Sequence, residues 1–170
     1  MKLYKNLVLV GMMGSGKSLI GKILSKKLDF DFIDTDKKIE AEEQKTIPEI
    51  FKNNGEKYFR NIEEVISLKS LKLNNKVIAL GGGGYINANI RKYVLKKCIS
   101  FWLNWKNEVL INRIKHSKKR PLAIKLNNLE IDKLIIKRST FYNLSDYKIN
   151  CDKLKKEQIV EKIINFYENS

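Results

Sequence analysis

The 170 residues suffice for one domain with a real core and fall short of two. With 43% hydrophobic residues, 9% aromatic and two prolines, the composition is that of a folded chain and excludes extended disorder. The longest apolar runs, Leu7–Val10 and Val77–Leu80, are far shorter than the roughly 18 residues of a membrane-spanning helix, so no membrane partner is expected. A formal net charge of +15 would suit a nucleic-acid binder. The lysines, however, are spread along every predicted helix among many Asn and Ile, with no aromatic-basic module or helix-turn-helix beside them, which reads as compositional bias.

Strand-length hydrophobic runs alternate with helical periodicity, the pattern of an α/β fold with a parallel sheet covered by helices. The first strand is Leu7–Val10. Lys2 and Lys5 ahead of it imitate a signal peptide, but no small-residue cleavage pattern follows and Lys17 ends the run, so the chain is expected in the cytoplasm. Gly11-Met12-Met13-Gly14-Ser15-Gly16-Lys17-Ser18 then fits the eight-position P-loop pattern between that strand and a helix with Ile20, Ile23, Leu24 and Leu28 on one face. Its glycines let consecutive N–H groups converge on phosphate oxygens at a helix start. Lys17 adds a mobile charge toward the β- and γ-phosphates, and Ser18 is placed to ligate Mg²⁺.

The second strand, Phe30–Asp34, leads into Asp34-Thr35-Asp36. Residues two apart on a strand point the same way, so both carboxylates are expected to face the crevice at the C-terminal sheet edge. For Asp36 an equal alternative is a helix N-cap before Lys37. Helical spacing from Ile47 to Leu73 is interrupted at Asn53-Asn54-Gly55, a stop and restart. The strand Val77–Leu80 runs into Gly81-Gly82-Gly83-Gly84 rather than the aspartate of motor proteins and switch GTPases. Four glycines on a core strand make either a flexible turn or a wall that a ligand approaches closely.

Further strands are read at Ile99–Leu103 and Tyr147–Asn150, and a final helix carries Ile159, Val160, Ile163, Ile164 and Tyr167 on one face. Lys118-Lys119-Arg120-Pro121 lies between two helices as a solvated basic loop or a lid that offsets phosphate charge. Arg138 falls on the apolar stripe of Ile131, Leu134, Ile135 and Tyr142, which turns its guanidinium inward. A buried cation needs an anion, supplied by a ligand carboxylate or by a protein carboxylate. Arg60 has Glu56, Glu63 and Glu64 within helical reach and reads as an ordinary surface ion pair. Cys98 and Cys151 lie beside strands without metal or redox spacing and are expected as buried thiols. His116 reads as solvated and Trp102 as core, while Trp105 receives no role.

In this order and spacing the P-loop, Asp34-Thr35-Asp36, Gly55-Glu56-Lys57-Tyr58-Phe59-Arg60 with Glu63, Gly81-Gly82-Gly83, Lys119-Arg120-Pro121-Leu122 and the arginine of Arg138-Ser139-Thr140-Phe141-Tyr142 resemble the shikimate kinases over essentially the whole chain. The resemblance implies a five-stranded P-loop fold of the nucleoside monophosphate kinase type. It further implies a single domain over 1–170, with a lid at about 117–128 and a substrate-binding helical region at about 35–62.

The same resemblance implies ATP and Mg²⁺ as cofactors and shikimate as acceptor, phosphorylated on its 3-hydroxyl. Gly14, Ser15, Gly16, Lys17, Ser18, Leu19, Arg113 and Arg120 would hold the nucleotide, Arg113 against the adenine and Arg120 from the lid. Ser18 and Asp34 would hold the metal. Asp36, Arg60, Glu63, Gly81, Gly82, Gly83 and Arg138 would form the shikimate site, with Asp36, Lys17 and Arg120 catalytic. The chain departs from the family at Leu19, where threonine is usual, at Ser139-Thr140, which lacks the usual proline, and at the extra Gly84. A monomer without nucleic-acid partners is expected. The rival readings are a kinase for another small acceptor, such as gluconate or a nucleotide, and a basic RNA-associated nucleotide binder.

Overall fold

In the computed structural model, which describes residues 5–116 and 126–169, five strands build one sheet: β1 (Asn6–Val10), β2 (Asp31–Asp34), β3 (Lys76–Ala79), β4 (Cys98–Asn104) and β5 (Tyr147–Asn150). Their order is β2-β3-β1-β4-β5, and each adjacent pair is parallel. Each strand lies within a residue of the hydrophobic run that predicts it. A strand buried on both faces has no polar alternation, and β1 is buried at every position.

Alternate side chains of the strands feed two cores. On one face, Leu7, Leu9, Val77, Ile99 and Phe101 pack with Ile20 and Leu24 of α1 (Lys17–Leu28) and with Ile159, Val160, Ile163 and Tyr167 of α7 (Lys156–Glu168). On the other, Val8, Val10, Ile78 and Trp102 meet α4 (Ala88–Lys97), α5 (Asn107–Lys115) and α6 (Asn128–Tyr142) through Val94, Ile114 and Ile135. Each fully buried aliphatic side chain contributes about 1.5–3 kcal/mol, so the register of the central strands is strongly fixed.

A satellite core of Ile39, Ile50, Phe59 and Ile66 joins α2 (Thr35–Glu43) to α3 (Ile47–Leu71). Thr46 and Glu49 form a capping box at the start of α3, which fixes where that helix begins. Gly55, at φ 82 and ψ 171, breaks α3 where Asn53-Asn54-Gly55 predicts a stop and restart. The break turns the second half of α3 so that Phe59 and Glu63 are buried while Glu56 and Tyr58 stay exposed. Cys98 and Cys151 are free, buried thiols, both pushed up to about 12 by burial. No helix among the described residues is long and apolar enough to cross a membrane.

Candidate active site

The C-terminal ends of β1, β2 and β3 meet at one edge of the sheet and carry the P-loop, Asp34-Thr35-Asp36 and the glycine run. At the turn out of β1, Gly11 has φ +140, and a Cβ there would press on the Leu103 carbonyl and Ser15 Oγ, each 3.1 Å away. Gly16 at φ +89 precedes the first helical residue of α1, a left-handed conformation that glycine adopts without cost. Lys17 Nζ donates to the carbonyls of Gly11 at 2.7 Å and Met12 at 3.0 Å, so the charge is folded over the loop it serves.

Ser18 Oγ donates to Asp34 Oδ2 at 2.5 Å, which sets a hydroxyl and a carboxylate oxygen side by side at the start of α1. Hard oxygen donors of this kind suit Mg²⁺, which takes its remaining ligands from water and phosphate. Among the described residues no three His, Cys, Asp or Glu side chains converge to make a fuller cage. A cleft of about 310 Å³ joins Lys17, Ser18, Asp34, Asp36 and Gly82.

The two aspartates come together by a different route from the strand alternation expected of them. β2 ends at Asp34, which caps α2 by accepting the Lys37 N–H at 3.3 Å, while Asp36 stands in the first turn of that helix. The capping duty considered for Asp36 therefore belongs to Asp34. Asp36 points at the glycine wall, and its Oδ1 occupies the place a Gly81 Cβ would fill. Thr35 between them is wholly buried, accepts the Gly81 N–H at 2.9 Å and donates to the Ala79 carbonyl at 3.3 Å. Sequence reasoning passed over this residue, although it stands between two candidate carboxylates at a strand end.

Two arginines reach the same wall from the far side. A Cβ on Gly83 would overlap Arg60, and one on Gly82 would lie 3.4 Å from Arg138 Nη1. Arg60 pairs with exposed Glu56 at 3.3 Å and with Glu63 at 2.7 Å, whose side chain is 3% exposed. Burial pulls the Arg60 guanidinium down, but Glu63 and Glu56 outweigh it and the net shift is upward. Burial raises the Glu63 carboxyl, opposed by Arg60 and Arg138. The surface-pair reading of Arg60 is thus half correct, since one of its partners is buried beneath the site.

Arg138 lacks such a partner. Its Nε is buried without a hydrogen-bond acceptor, its Nη1 lies 3.7 Å from the Met12 sulfur, and among the described residues no carboxylate is within ion-pair distance. Buried polar groups are nearly always paired, and the unpaired Nε sets Arg138 apart from Arg60, which is matched by Glu56 and Glu63. Beside it the Tyr142 hydroxyl donates to the Gly82 carbonyl at 2.5 Å and ties α6 to the wall. Burial pushes that hydroxyl up to about 12 against the pull of Arg138.

On the other side of the P-loop, Arg113 lies 3.9 Å over the Trp105 ring and donates to the Gly14 carbonyl at 3.2 Å. Exposed Leu19 lines both this side and the first cleft. His116 is exposed at the end of α5, and Trp102 is core, as expected. Of the lid expected at about 117–128, residues 117–125, with Arg120, lie outside the described residues, while Asn127 caps α6 and Asn128 begins it.

A P-loop opening from the central strand of a five-stranded parallel sheet in this order, with Asp34 at the end of β2 two strands away and a glycine run on the strand between them, defines a P-loop kinase of the nucleoside monophosphate kinase type. A family profile described as Shikimate kinase matches residues 13–168. The chain belongs to the shikimate kinase family and is an ATP-dependent kinase. The shikimate kinase of Caldanaerobacter subterraneus subsp. tengcongensis is 37% identical over 164 residues, covering 96% of each chain. That of Persephonella marina is 40% identical over 161 residues, covering 94% of this chain and 97% of its own. The structure of the Acinetobacter baumannii shikimate kinase in complex with shikimate aligns with a TM-score of 0.91 at 29% identity, covering 98% of this chain and 94% of that one.

Proposed function

We propose that this protein transfers the γ-phosphoryl group of ATP to the 3-hydroxyl of shikimate, giving shikimate 3-phosphate and ADP on the route to chorismate and the aromatic amino acids. It acts in the cytoplasm as a monomer, without nucleic-acid partners. The observation that carries the acceptor assignment is Arg138, half-buried with its Nε enclosed and unpaired, beside a glycine wall that Arg60 also reaches. A planar carboxylate satisfies such a fork bidentately. Shikimate bound to the Acinetobacter baumannii relative supports the same reading.

The proposed roles follow from position. The P-loop amides of Gly14, Ser15 and Gly16 receive the phosphates, and Lys17 leaves the Gly11 and Met12 carbonyls to follow the transferring group. Ser18, and Asp34 through water, would hold Mg²⁺, which would supply neutralisation of phosphate charge. Arg60, with Glu63 behind it, and Arg138 fix the acceptor carboxylate, and Gly81–Gly83 let its ring approach the backbone. Asp36 orients the 3-hydroxyl and takes its proton. Arg113 and Leu19 border the nucleotide, and Arg120 belongs to the lid. Phosphoryl transfer passes through a loose transition state, so positioning and charge supply most of the acceleration.

ADP release measured with and without shikimate tests this. Shikimate-dependent release that Lys17→Met and Asp36→Asn each nearly abolish is expected. Release that depends on gluconate instead, or no release with shikimate, overturns the acceptor assignment.

A further inference from the structure

We propose that Trp105 is a positioning residue for the nucleotide half of the site, acting through the P-loop backbone and through Arg113. A P-loop turns its N–H groups toward phosphate, and its carbonyls must then find donors elsewhere, because an unpaired backbone acceptor away from water is costly. Two of those carbonyls are held from outside the loop. Ser15 O accepts from the Trp105 indole N–H at 2.9 Å, across 90 residues of sequence. The preceding carbonyl, Gly14 O, accepts from Arg113 Nη1 at 3.2 Å. Arg113 in turn rests 3.9 Å above the Trp105 ring, so one indole supports both bonds.

The brace itself is well anchored. Trp105 follows directly on β4, which pairs with β1 along its length. Its ring packs against both main cores, so a shift of the indole would have to move the sheet. Trp105 and Arg113 also line a cavity of about 580 Å³ with Gly14, Leu19 and Leu154. A guanidinium has two flat faces, and with one on the indole the other is left for a planar base lying in that cavity. The proposal rests on the reading of this cavity as the base end of the ATP site.

Two substitutions separate the parts. Trp105→Phe keeps a ring beneath Arg113 and removes the N–H; Trp105→Ala removes both. Binding of ADP by calorimetry and steady-state kinetics with each substrate varied give the readout. Loss of one hydrogen bond predicts that Trp105→Phe weakens ADP and raises the KM for ATP about fivefold. Loss of the stacked ring as well takes Trp105→Ala to about twentyfold. The KM for shikimate should stay within about twofold in both, since a defect confined to the P-loop leaves the acceptor clamp alone.

Unchanged ADP affinity in Trp105→Phe overturns the brace. So does an equal rise in both KM values, which would mark a general loss of packing. If Trp105→Ala does not fold, Trp105→Phe carries the test. Failure of the wild-type protein to bind ADP would instead remove the nucleotide reading of the cavity, and the proposal with it.

Discussion

Replacing Gly81 by alanine tests whether the position of Asp36 matters to the reaction. The added methyl would overlap Asp36 Oδ1 and lie 3.0 Å from Glu63 Oε1 and 3.3 Å from Asp36 Cγ. Ordinary carbon–oxygen contacts need about 3.4 Å or more, so the Asp36 carboxylate must retreat by about an ångström. A misplacement of that size costs on the order of 100-fold in turnover when the displaced group works at the reacting atom. The colliding atoms are the ends of two side chains, so stability should fall by only about 1 kcal/mol. Gly84→Ala is the matched comparison, because its methyl would meet nothing nearer than Glu63 Oε1 at 3.7 Å and Leu80 Cβ at 3.8 Å. Coupled ADP assays on both variants, with melting curves alongside, should show kcat collapsing in the first and holding in the second. A Gly81→Ala enzyme with kcat within about threefold of wild type would refute Asp36 as the group that orients the acceptor.

Thr35→Val keeps the shape of a buried side chain but strands the Gly81 N–H, a loss of about 1–3 kcal/mol. Melting temperature and kcat should both fall, Thr35→Ser should restore them, and a valine variant that behaves as wild type removes the hydroxyl from any role. Burial holds the Glu63 carboxyl above the ordinary glutamate value of 4.5, against the pull of Arg60 and Arg138. A carboxyl raised on folding stabilises the native state below its unfolded pKa and loses that contribution as pH rises through the folded value. Glu63→Gln should therefore gain stability relative to wild type as pH rises from 4.5 through the raised value, and chemical denaturation at several pH values reads this. A flat or opposite trend in the difference refutes it.

The fold was legible because its signals are local. Buried parallel strands are uninterrupted apolar runs, and the break in α3 is written in Asn53-Asn54-Gly55. The error at Asp34-Thr35-Asp36 has the same origin. Strand alternation was extended past Asp34, where the chain already turns into α2, and the capping bond from Lys37 N–H to Asp34 could be assigned to either aspartate until the helix start was fixed. The P-loop was equally plain, since all its working atoms lie within eight consecutive residues. The inward turn of Arg138 toward Met12 and Gly82 was readable from physics alone because a cation on an apolar stripe has to be explained. Arg60 was not, because Glu56 and Glu64 offered it ordinary surface partners. Thr35 and Trp105 act on backbone 46 and 90 residues away, and nothing near them in sequence marks such a contact.

The glycine run shows why the site needs its particular length of bare backbone. Asp36 of α2 fills the space beside Gly81 and Arg60 of α3 the space beside Gly83, while a Cβ on Gly82 would meet the Met13 backbone N at 3.3 Å and Arg138 Nη1 of α6 at 3.4 Å. Gly81 and Gly83 thus make room for a carboxylate and a guanidinium from two helices, and Gly82 lies in ordinary contact with a second guanidinium from a third. The backbone of this strand end is held by Thr35 at Gly81 and by Tyr142 at Gly82. In the proposed reaction, an acceptor with a carboxylate at one end and a hydroxyl at the other would reach the two arginines and Asp36 at once. Gly84 meets only ordinary contacts and lies beyond the seats, so the run is one residue longer than this work requires.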